Sequence, residues 1–326
     1  MPASHVTYTF LGPEGTFTEA ALMQVPGAAE AIRVPASNVN AALDKVRDGS
    51  ADAAMVPIEN SVEGGVTATL DAIASGQELR ILREVLVPIS FVLVARPGVA
   101  ISDIRRISTH GHAWAQCRLW VENNIPGAEY VPGSSTAAAA VGLLEQDAHY
   151  DAAICAPIVA QEQPGLSVLA ENIGDNPGAV TRFVLVGRPG VLPERTGADK
   201  TTVVVPLPED RPGALMEILD QFATRGVNLS RIESRPTGQY LGHYFFSIDA
   251  DGHVGDARVA DALAGLHRIS PATRFLGSYG RADAQSAYIA PHTSDEAFRA
   301  AHEWVGAILQ GEPIPSESVS GASPTA

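Results

Sequence analysis

The chain has 326 residues, of which 45% are hydrophobic and 18% charged, a balance typical of a globular protein with two or three domains. Its 22 Lys and Arg residues against 37 Asp and Glu give a formal net charge of −15, which disfavours nucleic acid as a partner. Two cysteines without C-x-x-C spacing argue against a disulfide framework or a structural zinc site. Because neither a signal peptide nor a spanning segment is recognisable, we expect a cytoplasmic protein that binds no membrane.

Strand-like and helix-like segments alternate from TYTFLG and TEAALMQV near the start to DAAICAP and IVAQEQ. This alternation predicts an α/β fold, with open sheets that carry helices on their faces. Two long apolar runs, LREVLVPISFVLVARPG and TRFVLVGRPG, are expected to take the chain from one sheet to another and back, which makes two lobes with a cleft between them. We therefore expect a body at 1–187, with lobe one at about 1–80 plus 180–187 and lobe two at about 81–179.

The pattern changes after a linker rich in Pro and Gly at 188–199. Residues 200–281 follow the order strand, helix, strand, strand, helix, strand, which predicts a separate ferredoxin-like βαββαβ domain. Residues 282–326 are expected to form a tail. It contains one helix, SDEAFRAAHEWVGAIL, and an end whose Pro, Ser and Gly content predicts disorder.

Four predicted turns between a strand and a helix are rich in hydroxyl groups and almost free of lysine. Free main-chain N–H groups at such helix starts suit carboxylates, although helix capping alone also explains each single turn. Together they predict one pocket for a small carboxylated ligand. The residues are Thr16 in FLGPEGTFTEAA, Glu59, Asn60, Ser61, Gly64 and Gly65 in MVPIENSVEGGVTATL, His110 in STHGHAWAQC, and Ser135 and Thr136 in PGSSTAAAA.

The stretch NPGAVTRFVLVG places Thr181 and Arg182 directly before a buried strand that starts at Phe183. Thr181 is a candidate hydrogen-bond donor at a reacting centre, and Arg182 a candidate partner for a ligand carboxylate. A salt bridge at the edge of the sheet is the competing interpretation of Arg182. We expect Glu59, directly after its strand, to face the cleft, and Glu63 to be a solvated loop carboxylate.

These motifs resemble the catalytic and regulatory regions of prephenate dehydratases, in the same order and spacing over residues 6–281. The matching segments are TFLGPEGTFTEAA, VPIENSVEGGV, STHGHAWAQC, SSTAAA, AAICAP, TRFVLVG, RPGAL and IESRP. The resemblance implies conversion of prephenate to phenylpyruvate, water and carbon dioxide in phenylalanine biosynthesis, without a metal or organic cofactor. It also implies a body like that of periplasmic binding proteins and a carboxy-terminal ACT domain that binds phenylalanine, an allosteric inhibitor.

The resemblance makes Thr181 the essential threonine of a Thr-Arg-Phe motif, with Arg182 and Phe183 as substrate-binding neighbours. It adds Gln116 to His110, although this chain has Thr-His-Gly-His at 109–112 where the family usually has Ser-His-Pro-Gln. We further expect a protonated Glu59 to supply a proton through Thr181.

For the ACT domain the resemblance implies a homodimer or homotetramer, because its effector sites generally require two chains. The implied phenylalanine-binding residues are Gly213, Ala214, Leu215, Met216, Asn228, Glu233, Ser234, Arg235 and Pro236. Two other classes of protein share parts of this layout. A solute-binding module would have the cleft but also an export signal, and an amino-acid-sensing regulator would need a DNA-binding element; neither feature is recognisable. Because the chain starts on its first strand, we expect no chorismate mutase domain.

Overall fold

The computed structural model describes residues 6–62, 64–207, 209–238 and 243–312, and these residues form three β-sheets with helices packed on them. The strands are β1 (Thr7–Leu11), β2 (Ile32–Ala36), β3 (Ala53–Asn60), β4 (Gly64–Gly65), β5 (Arg80–Pro88), β6 (Val92–Ala95), β7 (Arg106–Thr109), β8 (Glu129–Pro132), β9 (Ala152–Cys155), β10 (Ser167–Ala170), β11 (Val180–Gly187), β12 (Asp199–Pro206), β13 (Leu229–Pro236), β14 (Tyr244–Asp251) and β15 (Arg274–Gly280). The helices are α1 (Phe17–Leu22), α2 (Val39–Arg47), α3 (Thr67–Ala74), α4 (Gly111–Asn124), α5 (Thr136–Gly142), α6 (Pro157–Glu162), α7 (Ala214–Ala223), α8 (Ala257–Ile269) and α9 (Asp295–Gln310). The predicted α/β class, with two lobes and a ferredoxin-like domain, is confirmed.

The first sheet has the order β2-β1-β3-β11-β5, with the short β4 paired to β3. Strands β1, β2 and β3 run parallel, whereas β11 is antiparallel to both β3 and β5. The apolar runs of β3 and β11 form the centre of this sheet because they are buried on both faces, as strands covered by helices on each side must be.

The second sheet, with the order β10-β6-β9-β7-β8, forms the other lobe. Strand β5 stays in the first sheet to Pro88 and pairs there with β11, so the chain crosses between the lobes at 89–91 and returns at 171–179. The expected lobe boundary at about residue 81 is therefore corrected to 89–91. The apolar run continues from β5 to β6 because both strands are largely buried. Hydrophobicity therefore does not show at which residue the chain leaves the first sheet.

The third sheet, with the order β13-β14-β12-β15, is antiparallel and belongs to the carboxy-terminal domain. Helices α7 and α8 cover one face through a core that includes Phe222, Ile248 and Leu266. The other face lies on the first lobe. A Cβ atom at Gly277 of β15 would come within 2.4 Å of the main-chain oxygen of Ile81 in β5. Strand β15 therefore needs a glycine at this position to approach β5.

The two domains share one apolar core on this side of the first sheet. Ile58, Ile81 and Val184 of the first lobe lie in the same buried cluster as Leu276 and Tyr279 of the third sheet. A shared core of this kind holds the carboxy-terminal domain against the first lobe.

The tail contains α9, which begins after the N-cap Ser294 and ends at Gly311, a glycine with φ of 72°. Such a left-handed residue is the usual end of a helix. The predicted disordered end begins at Gly311, and its residues from 313 onward lie outside the described residues, as do Glu63 and residues 239–242 of the turn TGQYLG. Within the described part of the chain, no helix has the length and apolarity to cross a membrane.

Candidate active site

The carboxyl ends of the strands in the two lobes face each other across the crossing segments. β3 ends at Asn60, which pairs with Thr181 near the start of the antiparallel β11, so both residues lie at one edge of the first sheet. In the second sheet, the parallel strands β7 and β8 end at the starts of α4 and α5. Segment 89–91 joins these two edges, because it connects the end of β5 to the start of β6. This is where open α/β sheets bind ligands.

Thr181 and Asn60 form the centre of the first wall. The Asn60 side-chain amide donates a hydrogen bond of 2.9 Å to the Thr181 hydroxyl. Next to them, Val180 and Ser61 exchange two hydrogen bonds of 2.9 Å, one from the Ser61 main chain and one to its hydroxyl oxygen. Two residues 121 positions apart are thus held side by side by strand register.

Thr16 also lies at this edge, but its polar groups are already engaged. Its hydroxyl oxygen caps α1 by accepting from the main-chain N–H of Glu19, and the Glu19 carboxylate accepts from the N–H of Gly15 at 2.7 Å. The turn touches the second lobe, since a Cβ atom on Gly15 would lie 3.2 Å from Val159. Thr16 therefore lies where the lobes meet, and its hydroxyl caps the start of α1.

On the second wall, Ser135 is the N-cap of α5 and accepts a 2.9 Å hydrogen bond from the N–H of Ala138, and Thr136 is the first residue of the helix. His110 is the N-cap of α4, and its ring stacks on that of His112 with centroids 5.0 Å apart. Gln116 lies further along α4, where its main-chain oxygen accepts from the N–H of Asp175 at 2.7 Å.

The side chains of β11, and of β3 beside it, point to two opposite faces of the sheet. The face on which each side chain lies corrects the expected positions of Phe183, Arg182 and Glu59. Phe183 lies on the Thr181 face but is only 2% exposed and packs in the core beneath it, so it offers little surface to a substrate. Arg182 and Glu59 lie on the opposite face, toward the third sheet. The Arg182 guanidinium donates to Glu59 at 3.3 Å, to Glu84 at 2.5 Å, to Asp249 at 2.5 Å and to the Tyr279 hydroxyl at 2.8 Å.

These contacts assign Arg182 to the interface between domains rather than to the cleft. Adjacent residues of a strand point to opposite faces, so a Thr-Arg pair cannot place both side chains beside one ligand. Glu59 shares the face of Arg182, and the expected proton relay from Glu59 through Thr181 has no geometric support.

Sequence reasoning missed the buried charges around Arg182. Lys200 donates to Glu84 at 2.8 Å, and Asp249 is fully buried. Burial alone would raise the pKa of Glu84 and Asp249, but Arg182 and the neighbouring cations outweigh it and hold the pKa of both carboxyls below the ordinary value. A signal was present, since Lys200 and Asp249 are charged residues within the strands DKTTVVVP and YFFSIDAD.

The depressed pKa values make the stability of this interface dependent on pH. As the pH falls below about 4, the unfolded chain takes up protons that the folded carboxylates resist, so the free energy of unfolding is expected to decrease. Urea unfolding followed between pH 7 and pH 3 measures this slope. Glu84→Gln should be less stable than the parent at pH 7 and should show a shallower slope. Equal slopes would mean that the pKa of Glu84 is the same in the folded and the unfolded chain, and would contradict its depression by Arg182 and Lys200.

The predicted effector residues divide between two surfaces. Gly213, with φ of 89°, is the N-cap of α7, Ala214 is buried, and Leu215 and Met216 are exposed. Ser234 and Pro236 are exposed as well.

The side chains of Glu233 and Arg235, however, face the first lobe. The Glu233 carboxylate lies where a Cβ atom of Gly65 would be, and Arg235 donates two hydrogen bonds, of 3.0 and 2.9 Å, to Asp71 of α3. Their expected role as direct ligands of the effector is therefore corrected to contacts between the domains.

Asn228 lies apart from the other effector residues. Its amide donates to Asp251 at 2.7 Å, and both line a cavity of about 630 Å³ together with Arg281 and the segment 285–288. The other predicted effector residues do not line this cavity.

Cys117 and Cys155 are free and buried, and burial raises the pKa of each thiol to about 12. Such thiols are inert at neutral pH. In the ranges that the structure covers, no three His, Cys, Asp or Glu side chains gather as a metal site requires.

Comparison with known proteins agrees with this layout. A family model described as prephenate dehydratase matches residues 8–190, and one described as an ACT domain matches residues 201–268. A prephenate dehydratase of Amycolatopsis methanolica is 47% identical over 304 residues, which cover 93% of this chain and 98% of that protein.

Solved structures extend the likeness. A crystal structure of prephenate dehydratase in complex with L-Phe from Arthrobacter aurescens is 82% identical, with a TM-score of 0.90, and the match covers 94% of this chain and 100% of that one. A structure described as GqqA, a novel type of quorum quenching acylase, is 31% identical with a TM-score of 0.73, covering 84% of this chain and 97% of that one. The chain belongs to the prephenate dehydratase family.

Proposed function

We propose that the Thr181–Asn60 pair is the reacting centre of a prephenate dehydratase, the activity that belongs to this family. The single observation that carries the proposal is the 2.9 Å hydrogen bond from the Asn60 amide to the Thr181 hydroxyl. Because Thr181 accepts from Asn60, its own hydroxyl hydrogen is directed elsewhere and is available to the substrate. Accepting one hydrogen bond also makes a hydroxyl a stronger donor of the next.

The reaction needs a donor at this position. Prephenate carries two carboxylates, a keto group and a ring hydroxyl. When the ring carboxylate leaves as carbon dioxide, the electrons of its C–C bond move into the ring, which becomes aromatic and expels the hydroxyl. Thr181 is assigned to the departing oxygen, where a hydrogen bond stabilises the negative charge that develops.

The remaining cleft residues are assigned to substrate binding. Ser61 braces Thr181 through its two hydrogen bonds to Val180. Main-chain N–H groups at the starts of α4 and α5, beside His110, Ser135 and Thr136, suit the pyruvyl carboxylate. The lost carboxylate should have no cation beside it, since strong binding of that group in the ground state would slow its departure. The placement of Arg182 on the other face fits this requirement.

L-Phenylalanine is proposed as an allosteric inhibitor that binds at the ACT domain. Support comes from the 82% identical structure, which is a complex with L-Phe. Strand β13 lies at the edge of its sheet, and Leu215, Met216 and Ile232 are exposed apolar residues. Both features favour assembly of two ACT domains, and hence a homodimer or a dimer of dimers.

The purified chain is tested by incubation with prephenate while phenylpyruvate is measured, with and without L-phenylalanine. Turnover that phenylalanine suppresses supports both parts of the proposal. A folded chain that binds phenylalanine but forms no phenylpyruvate would leave only an amino-acid sensor.

The effector site has its own test at Gly213. Because this residue has φ of 89°, alanine is strained there by about 1 kcal/mol and shifts the start of α7. Gly213→Ala is expected to keep turnover without effector and to weaken inhibition by phenylalanine several-fold, as measured by inhibition curves. Gly190→Ala, in the linker where no atom lies within 4 Å of the added methyl, is the control. Unaltered inhibition in Gly213→Ala would move the effector site elsewhere.

A further inference from the structure

The sheet of the ACT domain carries a fully buried carboxylate, that of Asp249, which contacts the catalytic domain. Asp249, in β14, accepts hydrogen bonds from Arg182 at 2.5 Å, from the Thr202 hydroxyl at 2.7 Å and from two nitrogens of Arg231 at 2.9 and 3.1 Å. Arg182 belongs to the catalytic domain, and the other two donors to the ACT sheet. Asp249 thus accepts hydrogen bonds from both domains at once.

Arg182 is held in a single orientation by this arrangement. Its Nε binds Glu84, its Nη1 binds Asp249 and Glu59, and its Nη2 binds the hydroxyl of Tyr279. A guanidinium with all three nitrogens engaged is a fixed planar fork. We call its four partners, Glu59, Glu84, Asp249 and Tyr279, the socket of Arg182. Two of them, Asp249 and Tyr279, come from the sheet of the ACT domain, so the catalytic domain alone does not complete the socket.

The socket lies one peptide from the reacting centre. Thr181 precedes Arg182, and the pairing of β11 with β3 shifts register directly after Arg182. Ile58 of β3 is the extra residue at this shift, whereas the pairing of β11 with β5 is regular from Val180 to Leu185. The ladder is therefore disrupted only on the β3 side, where the Arg182 side chain adds a contact to Glu59. The position of the Thr181 hydroxyl relative to Asn60 of β3 therefore depends in part on the contacts of the Arg182 side chain.

The same ACT face touches the other half of the reacting centre. Arg231 lies 3.6 Å from the carboxylate of Glu233, and that carboxylate lies against Gly65, on the strand that pairs with the end of β3. Asn60, at the end of β3, pairs with Gly64. Contacts from β13 thus reach the Asn60 side as well as the Thr181 side.

We propose that Asp249 is a positioning residue for Thr181, acting through Arg182, and that Arg231 links it to strand β13, which carries part of the effector motif. This inference rests on the proposed function and names the physical route of its regulation. A displacement of β13 by effector would move Arg231 and Asp249 together and release or turn Arg182. Turnover without effector also depends on the ACT sheet in this arrangement.

The test replaces the ion pair by apolar residues of similar size, in the variant Asp249→Leu with Arg231→Met. Exchange of a buried ion pair for packed hydrophobic side chains often leaves stability unchanged. We expect a folded protein with a lower Tm than the parent, because Arg182 and Thr202 each lose an acceptor while Arg182 keeps Glu84, Glu59 and Tyr279. We also expect kcat about 10- to 100-fold lower with a nearly unchanged KM, because small misplacement of a reacting group has effects of this size. Inhibition by phenylalanine should weaken in the same variant.

Hydrogen exchange gives a readout that does not need activity. The amides of residues 180–183 should exchange faster in the variant, and phenylalanine should alter their exchange in the parent but not in the variant. If the parent does not turn over prephenate, the proposed function fails, and the exchange measurement still decides the inference.

The control removes another ion pair of the ACT domain, between Arg225 and Asp261, which has no described contact with the catalytic body. Arg225→Met with Asp261→Leu should keep parental kcat and parental exchange at 180–183. Parental kcat and exchange in the folded Asp249→Leu, Arg231→Met variant would overturn the proposal. If that variant does not fold, Tyr279→Phe decides, because it removes a single hydroxyl, which accepts from Arg182 and is also hydrogen-bonded to Thr202. We then expect a several-fold lower kcat, and parental kcat would overturn the proposal.

Discussion

Thr181→Ala is expected to lower kcat for prephenate by about 10²- to 10⁴-fold, the range of loss for a positioned proton or hydrogen-bond donor. The methyl group of alanine cannot stabilise the departing oxygen, and the Asn60 amide loses its acceptor. Because Thr181 is a small residue at the edge of the sheet, the fold should persist. Steady-state formation of phenylpyruvate, with the folded fraction measured by circular dichroism, tests this expectation.

Two companion variants separate chemistry from packing. Thr181→Ser keeps the hydroxyl and should recover much of the lost kcat. Thr9→Ala removes a fully buried threonine from the same sheet, one whose hydroxyl donates only to the main-chain oxygen of Val34. This control should lose stability but keep the kcat of the folded protein. A Thr181→Ala enzyme within a few-fold of the parent would rule out the assigned role of the hydroxyl.

Arg182→Met is expected to reduce the free energy of unfolding by about 3 to 5 kcal/mol, the cost of leaving buried charges without their partner. Glu84 and Asp249 are 5% and 0% exposed, so water cannot replace the guanidinium. Urea unfolding at pH 7 measures the loss.

The control for this variant is Arg118→Met. Arg118 forms an ion pair with Glu122 on the surface of α4, with both side chains about 60% exposed. Exposed pairs of this kind contribute less than about 1 kcal/mol, so the control should have almost parental stability. If Arg182→Met proved as stable as the control while its KM rose strongly, Arg182 would be a substrate-binding residue after all.

The sequence alone determined the class of fold and the family. Strand, helix and turn preferences are local properties, and the alternation of periods predicted two α/β lobes and a βαββαβ domain. The hydroxyl-rich turns after strands also placed Asn60 and Ser135 at or just after the ends of strands, because the chain must turn where a strand stops. Thr181, expected directly before a strand that starts at Phe183, lies instead inside β11, near its start.

Only the tertiary structure decided which face of each strand meets the ligand. The side chains of Thr181 and Arg182 must point to opposite faces, but the sequence does not say which face is the cleft. Asp249 and Tyr279 lie 67 and 97 residues beyond Arg182, and it is their position that assigns Arg182 to the domain interface. The side chains of the motif Glu-Ser-Arg-Pro point to two faces of β13 for the same reason. Glu233 and Arg235 face the catalytic domain, whereas Ser234 and Pro236 are exposed. Local pattern sets the alternation of a strand, whereas packing between distant segments sets what each of its faces contacts.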